Sequence, residues 1–295
     1  MPHYVLSIEA DHGESMCTPS ATTVQPTGMG DSGLERTADL QAALADLQLA
    51  NQLKDEFMAM ISHELRTPLA GILSLSQMLT EQVIGPLNDR QIYYVKGIEE
   101  SGERLLNVVN EILNYTHLIS GKVQLRWVAC ALAQLLDTCA RSQQGKANAK
   151  AQTIAVCVEP AVLAIIGDAN AMADVLKRLL DNAIKFTPKG GQIGLEAHPT
   201  PAPAAPPAGG SSSNAGATFV DLVVWDTGVG IDQTQLAHIV KPFTQADARL
   251  ARSYEGIGLG LAYVHQMVIL LGGTLSVQSA PGQGSRFTIT LPAQP

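Results

Sequence analysis

The stretch that decides the fold is Phe57-Met-Ala-Met-Ile-Ser62-His63-Glu64-Leu65-Arg66-Thr67-Pro68-Leu69, where a histidine stands beside an acid on an otherwise apolar segment. At roughly 100° per residue, the apolar residues from this stretch onward gather on one face of a helix. They are Phe57, Ile61, Leu65, Leu69, Ile72, Leu75 and Leu79. His63 and Thr67 fall nearly opposite that face, so the pattern predicts an amphipathic helix with an exposed imidazole.

The neighbours of His63 indicate chemistry. On most helices a lone histidine is a packed core residue or a harmless surface residue. Glu64 can accept a proton from one ring nitrogen, which leaves the other nitrogen nucleophilic near neutral pH. Pro68 removes the helical hydrogen bond to the carbonyl of Glu64 and predicts a bend just beyond the histidine. We interpret His63 as a nucleophile and Glu64 as its base.

A second helix is predicted after a turn at residues 84–88. Its apolar residues follow spacings of three and four, as in a heptad stripe. They are Val95, Ile98, Gly102, Leu105, Val109, Ile112 and Thr116. Because two helices cannot enclose a core, residues 57–119 are expected to form a helical hairpin that becomes a four-helix bundle in a homodimer.

Two segments precede the hairpin. Residues 1–33 are rich in Gly, Ser, Thr and Pro and are predicted to be a disordered arm. Residues 34–56 are rich in Ala and Leu and contain no Gly, which favours a signalling, coiled-coil helix that continues into the His63 helix. An ordinary amphipathic helix explains these few turns equally well.

Composition narrows the class of protein. The 295 residues allow two or three small domains, and the net charge of −8 speaks against a nucleic-acid partner. No apolar run approaches the roughly 18 residues of a membrane span, and no basic-then-apolar signal peptide begins the chain, so a cytoplasmic location is expected. The four cysteines lack paired CxxC spacing, so neither a zinc site nor a disulfide framework is predicted.

Residues 120–295 alternate short apolar strands with helices, as an α+β layer domain does. A Pro, Ala, Gly and Ser tract at residues 199–216 is predicted to be a flexible hairpin insertion. The predicted strands are Gln124–Trp127, Thr153–Val158, Gln192–Glu196, Phe219–Trp225, Thr274–Gln278 and Arg286–Thr290.

Three motifs in this domain indicate a nucleotide site. Asp168 can cap a helix whose polar face carries Asn182, with an oxygen suited to Mg²⁺, and Lys185, a point charge for a phosphate. Asp226 ends an apolar strand and is followed by Gly228 and Gly230. The glycines let the backbone approach a planar ligand, and the acid can accept a hydrogen bond from an amino group, which fits adenine.

The third motif is Gly256-Ile-Gly258-Leu-Gly260, which opens a helix after a polar stretch that can act as a lid. Glycines at a helix start expose backbone N–H groups to phosphates. Alone, this pattern is weak evidence.

Together, these motifs resemble those of two-component sensor histidine kinases, over roughly residues 50 to 292. The His63 stretch resembles the H-box, and Leu179-Leu-Asp-Asn182-Ala-Ile-Lys185-Phe-Thr-Pro resembles the N-box. Lys241-Pro-Phe243 resembles the F-box, and Arg252 stands where the family often places a lid arginine. The resemblance implies a helical-hairpin dimerisation domain followed by a Bergerat-type α/β sandwich ATP-binding domain.

The resemblance also implies a reaction. His63 takes the γ-phosphoryl group of ATP, with Mg²⁺, Lys185 and Arg252 stabilising charge, and passes it to an Asp of a response-regulator receiver domain. Glu64 and Thr67 match the family's Glu-x-x-Thr pattern, in which Thr67 places a water that dephosphorylates the regulator. Two positions differ from the usual pattern. Arg178 replaces an Asn four residues before Asn182 and cannot ligate Mg²⁺, and Lys241 replaces a Glu.

Two other functions are compatible with parts of the sequence. The conformational ATPases that include type II topoisomerases, MutL and Hsp90 share the N-box and glycine motifs. They place a water-activating Glu where Arg178 stands, and they need no H-box. A weakly active dimeric scaffold or dedicated phosphatase is the other alternative, because Arg178 predicts altered metal geometry or turnover.

Overall fold

The computed structural model describes residues 4–8, 60, 64–83, 85–161, 164–200, 219–244 and 257–294. The described residues divide into two compact units, which are treated separately below. One is a helical hairpin that ends at Ser120, and the other is an α/β unit that begins at Gly121 and also includes the N-terminal strand. The segment 34–56 and most of the segment 1–33 lie outside the described residues.

The hairpin consists of helix α1, described over residues 64–80, and helix α2, Asp89–Ile119. Asn88 begins α2 with a capping box: its side chain accepts the N–H of Gln91, and the Gln91 side chain accepts the N–H of Asn88. This reciprocal pairing satisfies two backbone donors that a helix start otherwise leaves open. Arg66 donates to the Asn110 side chain over 2.8 Å and ties the two helices together.

The heptad stripe of α2 splits into two sets. Every seventh residue, namely Val95, Gly102, Val109 and Thr116, is buried. Gly102 is needed for close approach of the helices, because a Cβ there would lie 2.8 Å from a methyl group of Leu73. Between them, Ile98 and Leu105 are each 49% exposed, and Ile112 is half-buried. The hairpin therefore leaves part of its apolar stripe uncovered.

The α/β unit is built on a six-stranded sheet in the order β1-β7-β8-β6-β5-β3, with a separate two-stranded ribbon of β2 and β4. All neighbours are antiparallel except β3 and β5. The strands are β1 Tyr4–Ile8, β2 Val128–Ala131, β3 Thr153–Val158, β4 Ala164–Gly167, β5 Gln192–Thr200, β6 Phe219–Asp226, β7 Thr274–Ser279 and β8 Ser285–Pro292. The helices are α3 Leu132–Ala149, α4 Ala169–Phe186, α5 Gln233–Leu236 and α6 Gly260–Leu270.

Helices α3, α4 and α6 form a layer on the sheet, with α4 between the other two. The core between helices and sheet is closed: Leu179, Leu195 and Val264 each expose 1% or less. Burial of this kind stabilises a fold by about 25 cal/mol per Å² of apolar surface removed from water. The predicted fold class, a helical hairpin followed by an α/β sandwich, is confirmed.

Some boundaries differ from the predictions. The predicted strand Gln124–Trp127 is wrong. The strand that forms is the segment directly after it, Val128–Ala131, which pairs with β4. The prediction of disorder for residues 1–33 is wrong for Tyr4–Ile8, which adds as an antiparallel strand to the edge of β7. The predicted insertion begins too early, since Pro199 and Thr200 pair with β6, and residues 201–218 lie outside the described residues.

Candidate nucleotide site and phosphoacceptor helix

The phosphoacceptor candidate, His63, directly precedes the described part of helix α1 in the sequence. His63 itself lies outside the described residues, so the predicted roles that rest on its side chain stay predictions. Glu64 and Thr67 are described, helical and exposed. Their spacing of three residues places both side chains on the same face of α1. This face is therefore open to a partner molecule.

Helix α4, which carries Asn182 and Lys185, is capped at both ends. At its start the Asp168 side chain accepts the N–H groups of Asn170 and Ala171. Burial acts to raise the pKa of this carboxyl, but the N–H bond from Arg126 and these two bonds outweigh it and lower the pKa. At its end Lys150 donates to the carbonyl of Ile184 over 2.8 Å, and Gln152 donates to that of Thr187 over 2.6 Å. A cation at a helix C-terminus meets the negative end of the helix dipole. These contacts fix the part of α4 that bears the N-box.

The polar face of α4 is only partly as predicted. Asn182 and Lys185 are half-buried, as binding residues at the rim of a pocket should be. Arg178, which the sequence places on the same face, has a different environment. Its guanidinium lies over the Tyr263 ring of α6, 3.9 Å from the centroid, and its Nε is 3.4 Å from the Asp174 carboxylate.

Asp226 is an acid of the α/β unit whose carboxyl is buried. It ends β6 with only 8% of its surface exposed, and its Oδ1 accepts the N–H of Gly228 over 2.7 Å. Burial raises the pKa of this carboxyl to about 6, although hydrogen bonds from the N–H groups of Gly228 and Ser285 act in the opposite direction. A buried carboxylate with few donors has spare acceptor capacity, which suits an amino group of a ligand.

The glycines after Asp226 hold the backbone close to its neighbours. A Cβ at Gly228 would lie 2.6 Å from both Asp226 Oδ1 and the Phe186 carbonyl oxygen, and one at Gly230 would collide with the Ala280 carbonyl. Gly230 also has a φ of +69°, a conformation that other residues rarely adopt. Any larger residue at these two positions would displace the loop that follows Asp226.

The F-box and the second glycine motif meet in the structure. The N–H of Phe243 donates to the carbonyl of Gly258 over 3.1 Å, and Phe243 has a φ of +61° with 64% of its surface exposed. Gly258 has a φ of +77°, and a Cβ there would lie 2.6 Å from the Thr244 carbonyl oxygen. Gly260 begins α6 with open space around it. Arg252 and Gly256 lie outside the described residues.

The residues present fit a magnesium ion that is held mainly by a nucleotide. Across the described ranges, no three His, Cys, Asp or Glu side chains gather as a protein-only metal site requires. Mg²⁺ in nucleotide sites usually keeps waters and phosphate oxygens and takes only one or two protein ligands. Asn182 can supply one such oxygen, whereas the Arg178 guanidinium has only donors.

Sequence reasoning missed three residues that shape this site: Lys150, Gln152 and Tyr263. The signals for Lys150 and Gln152 were weak, because both follow the end of α3 and cap a helix that starts later in the chain. Tyr263 sits in an apolar stretch of α6 and reads there as a core residue. Its contact with Arg178 depends on the packing of α4 against α6, which no local pattern specifies.

Two family models match the chain. Residues 53–121 match the His Kinase A (phospho-acceptor) domain, and residues 167–295 match the histidine kinase-, DNA gyrase B- and HSP90-like ATPase. The two matches fall in different parts of the chain, and residues 122–166 lie between them. Within the described residues, no helix combines the length and the apolar composition needed to cross a membrane.

Several sensor kinases are similar to most of this chain. The circadian input-output histidine kinase CikA of Synechococcus elongatus is 36% identical over 88% of this chain and 33% of its own length. The autoinducer 2 sensor kinase/phosphatase LuxQ of Vibrio cholerae is 37% identical over 86% of this chain and 28% of its own. The full-length crystal structure of ShkA in complex with AMPPNP has a TM-score of 0.65 and 30% identity, and covers 80% of this chain and 45% of that one.

The chain therefore spans about a third of the length of the curated relatives it matches. The shared part comprises both the hairpin and the α/β unit, in the same order. By its two domain types and by these relatives, the chain belongs to the two-component sensor histidine kinases.

Proposed function

We propose that this chain is an ATP-dependent protein histidine kinase that phosphorylates His63 and passes the phosphoryl group to an aspartate of a response-regulator receiver domain. The single observation that carries the proposal is Asp226, a buried carboxyl with a raised pKa at the end of β6, followed by glycines that leave no room for side chains. A charge-capable group is seldom buried without a binding or catalytic task.

ATP would be held by residues from several elements of the α/β unit. Asp226 accepts a hydrogen bond from the adenine amino group, and Gly228 and Gly230 allow the ring to approach the backbone. Lys185 faces the phosphates, and Asn182 supplies an oxygen to Mg²⁺. Backbone N–H groups at the start of α6, near Gly258 and Gly260, favour negative charge. When bound, Mg²⁺ neutralises charge on the phosphate oxygens.

In the transfer step, His63 receives the γ-phosphoryl group of ATP and ADP is the leaving group. An unprotonated ring nitrogen of His63 forms a bond to the γ-phosphorus while the bond to the oxygen bridging to the β-phosphate breaks, and ADP leaves. Glu64 holds the proton on the other ring nitrogen and so keeps the attacking nitrogen free. The receiver aspartate then attacks the same phosphorus and releases the histidine.

We further propose two properties of the hairpin. The exposed apolar residues of α2 are covered by a second copy of this chain, which gives a homodimeric four-helix bundle. Thr67, exposed on the same face as Glu64, places a water for dephosphorylation of the receiver. LuxQ is named as both a sensor kinase and a phosphatase, which supports this second activity.

Labelling with γ-³²P-ATP and Mg²⁺ tests the kinase proposal. The wild-type protein should gain a label that acid removes, as expected for a phosphorus–nitrogen bond, and His63→Gln should gain none. His117→Gln is the matched control, since His117 is an exposed histidine in α2 of the same hairpin. No acid-labile label, or a label that survives His63→Gln, would overturn the proposal.

A further inference from the structure

Arg178, Asp174 and Tyr263 form a cluster that links two helices of the α/β unit. Arg178 and Asp174 lie one turn apart on α4, with a 3.4 Å contact between Nε and Oδ2. Tyr263 of α6 places its ring 3.9 Å from the guanidinium carbon. Arg178 therefore contacts both other members of the cluster.

Two members of the cluster are largely buried: the Arg178 side chain is 16% exposed and Tyr263 is 8% exposed, whereas the Asp174 side chain is 42% exposed. Burial and the neighbouring Asp174 carboxylate raise the pKa of Tyr263, so its hydroxyl stays protonated at physiological pH. A guanidinium stacked on an aromatic face is attracted to the ring, and the attraction is stronger where water is largely excluded. Because Asp174 offsets the charge of Arg178, the pair offers little net charge to a phosphate.

The position of the cluster connects two sides of the nucleotide site. Arg178 lies one helical turn before Asn182, the magnesium ligand proposed above. Tyr263 lies in the first turn of α6, three residues after Gly260. Helices α4 and α6 pack directly against each other. A change in the cluster would therefore alter the spacing between Asn182 and the glycine motif that opens α6.

We propose that Arg178 is a positioning residue that acts through Tyr263: it sets the distance between α4 and α6 and touches neither the nucleotide nor the metal. This inference rests on the proposed binding of ATP between these elements. It also explains how a site can tolerate an arginine four residues before Asn182. At this position the planar guanidinium replaces a possible metal ligand and joins α4 to α6 through the Tyr263 ring, a contact that we call the clasp. Lysine cannot reproduce this stacking.

The kinetic test uses Arg178→Lys, Tyr263→Leu and the double variant. Each single change should raise KM for ATP about 5-fold with kcat within about twofold, since a lost stacking contact is worth roughly 1 kcal/mol. The double variant should be no worse than about 5-fold, because both changes remove one contact. Tyr263→Phe keeps the ring and should raise KM less than Tyr263→Leu. Effects of the two changes that multiply would contradict the clasp.

Arg141→Lys is the matched control. Arg141 pairs with Asp137 at the same spacing on α3, but its side chain is 80% exposed and contacts no ring that the structure describes. This variant should leave KM unchanged. A KM shift equal to that of Arg178→Lys would show that loss of any such pair suffices, and would overturn the inference.

Calorimetric titration with AMPPNP gives a readout that does not require kinase activity. Arg178→Asn should weaken AMPPNP binding by the same factor with Mg²⁺ as with a chelator present. Tighter binding of Arg178→Asn in Mg²⁺ alone would mark residue 178 as a metal-ligand position and overturn the inference. If the wild type binds AMPPNP but never labels His63, the kinase proposal fails while this titration still decides the role of Arg178.

Discussion

The two units of this protein differ in how completely each buries its own apolar residues. In the α/β unit Leu179, Leu195 and Val264 are sealed between helices and sheet, whereas in the hairpin Ile98 and Leu105 are half exposed. The hairpin therefore leaves some of its apolar side chains exposed, whereas the α/β unit buries those at its core. This contrast supports the proposal that the hairpin pairs with a second copy, whereas the α/β unit closes its own core.

Breaking the dimer should have the largest effect. Leu105→Glu puts a charge on the face that we assign to the partner copy, and two uncompensated charges per dimer should raise the dimer dissociation constant on the order of 1,000-fold. Sedimentation velocity measures this change. Val156→Glu, at an exposed position of β3, should leave the dimer intact. A Leu105→Glu protein that stays dimeric would show that this face is not the interface.

The second experiment removes a charge from the α/β unit and leaves the hairpin unchanged. Asp226→Asn should weaken ATP binding on the order of 100-fold, because a charge-assisted hydrogen bond in a buried site is lost. The dimer should be unaffected. Asp221→Asn on the same strand is the control. Asp221 accepts a hydrogen bond from the Thr290 hydroxyl and lies away from the end of β6 that carries Asp226. Calorimetry that finds equal affinity in Asp226→Asn and wild type would refute the adenine assignment.

Thr67→Ala should separate the two activities of the hairpin. Autophosphorylation should stay within about twofold, while dephosphorylation of a phosphorylated receiver should slow at least about 10-fold, because the attacking water loses its orientation. Thr80→Ala serves as the control, since Thr80 lies at the far end of α1 and bonds to Ser76. Equal loss of both activities in Thr67→Ala would contradict the separate role.

The pKa of Asp226 predicts a smaller, pH-dependent effect. With a folded-state pKa of about 6, this carboxyl is ionised above pH 7 and gains a proton as pH falls. Nucleotide affinity should therefore be flat above pH 7 and fall severalfold by pH 5, by at most about tenfold per pH unit. Titrations with ADP in wild type and Asp226→Asn isolate this group, since the phosphates titrate in both. The same slope in both proteins would contradict the prediction.

Features that depend on residues close in the sequence could be predicted, whereas features that depend on distant residues could not. Asp168 as a helix cap and Thr153–Val158 as a strand depend on neighbours along the chain, and both predictions are confirmed. The pairing of Val128–Ala131 with Ala164–Gly167 and of Tyr4–Ile8 with β7 depends on distant partners, and both were missed. Short strands are decided by which edge they meet rather than by their own residues.

The site shows the same division. Asp226 and its glycines form a local pattern, and the structure shows a buried carboxyl beside glycines with no room for side chains. The environment of Arg178 could not be predicted, since a cation on a polar helix face usually points to water. Only the packing of α6 places an aromatic ring beneath it.

The central claim is that an acid in one unit is needed for modification of a histidine in the other. Mass spectrometry of the full chain after incubation with ATP and Mg²⁺, under conditions that preserve phosphohistidine, tests it directly. With ATP near the wild-type dissociation constant, we predict one phosphoryl group on the peptide containing His63 in wild type and Asp221→Asn, and far less of it in Asp226→Asn. Phosphorylation of His63 at the wild-type rate in Asp226→Asn, or a phosphoryl group found on another residue, would contradict the claim.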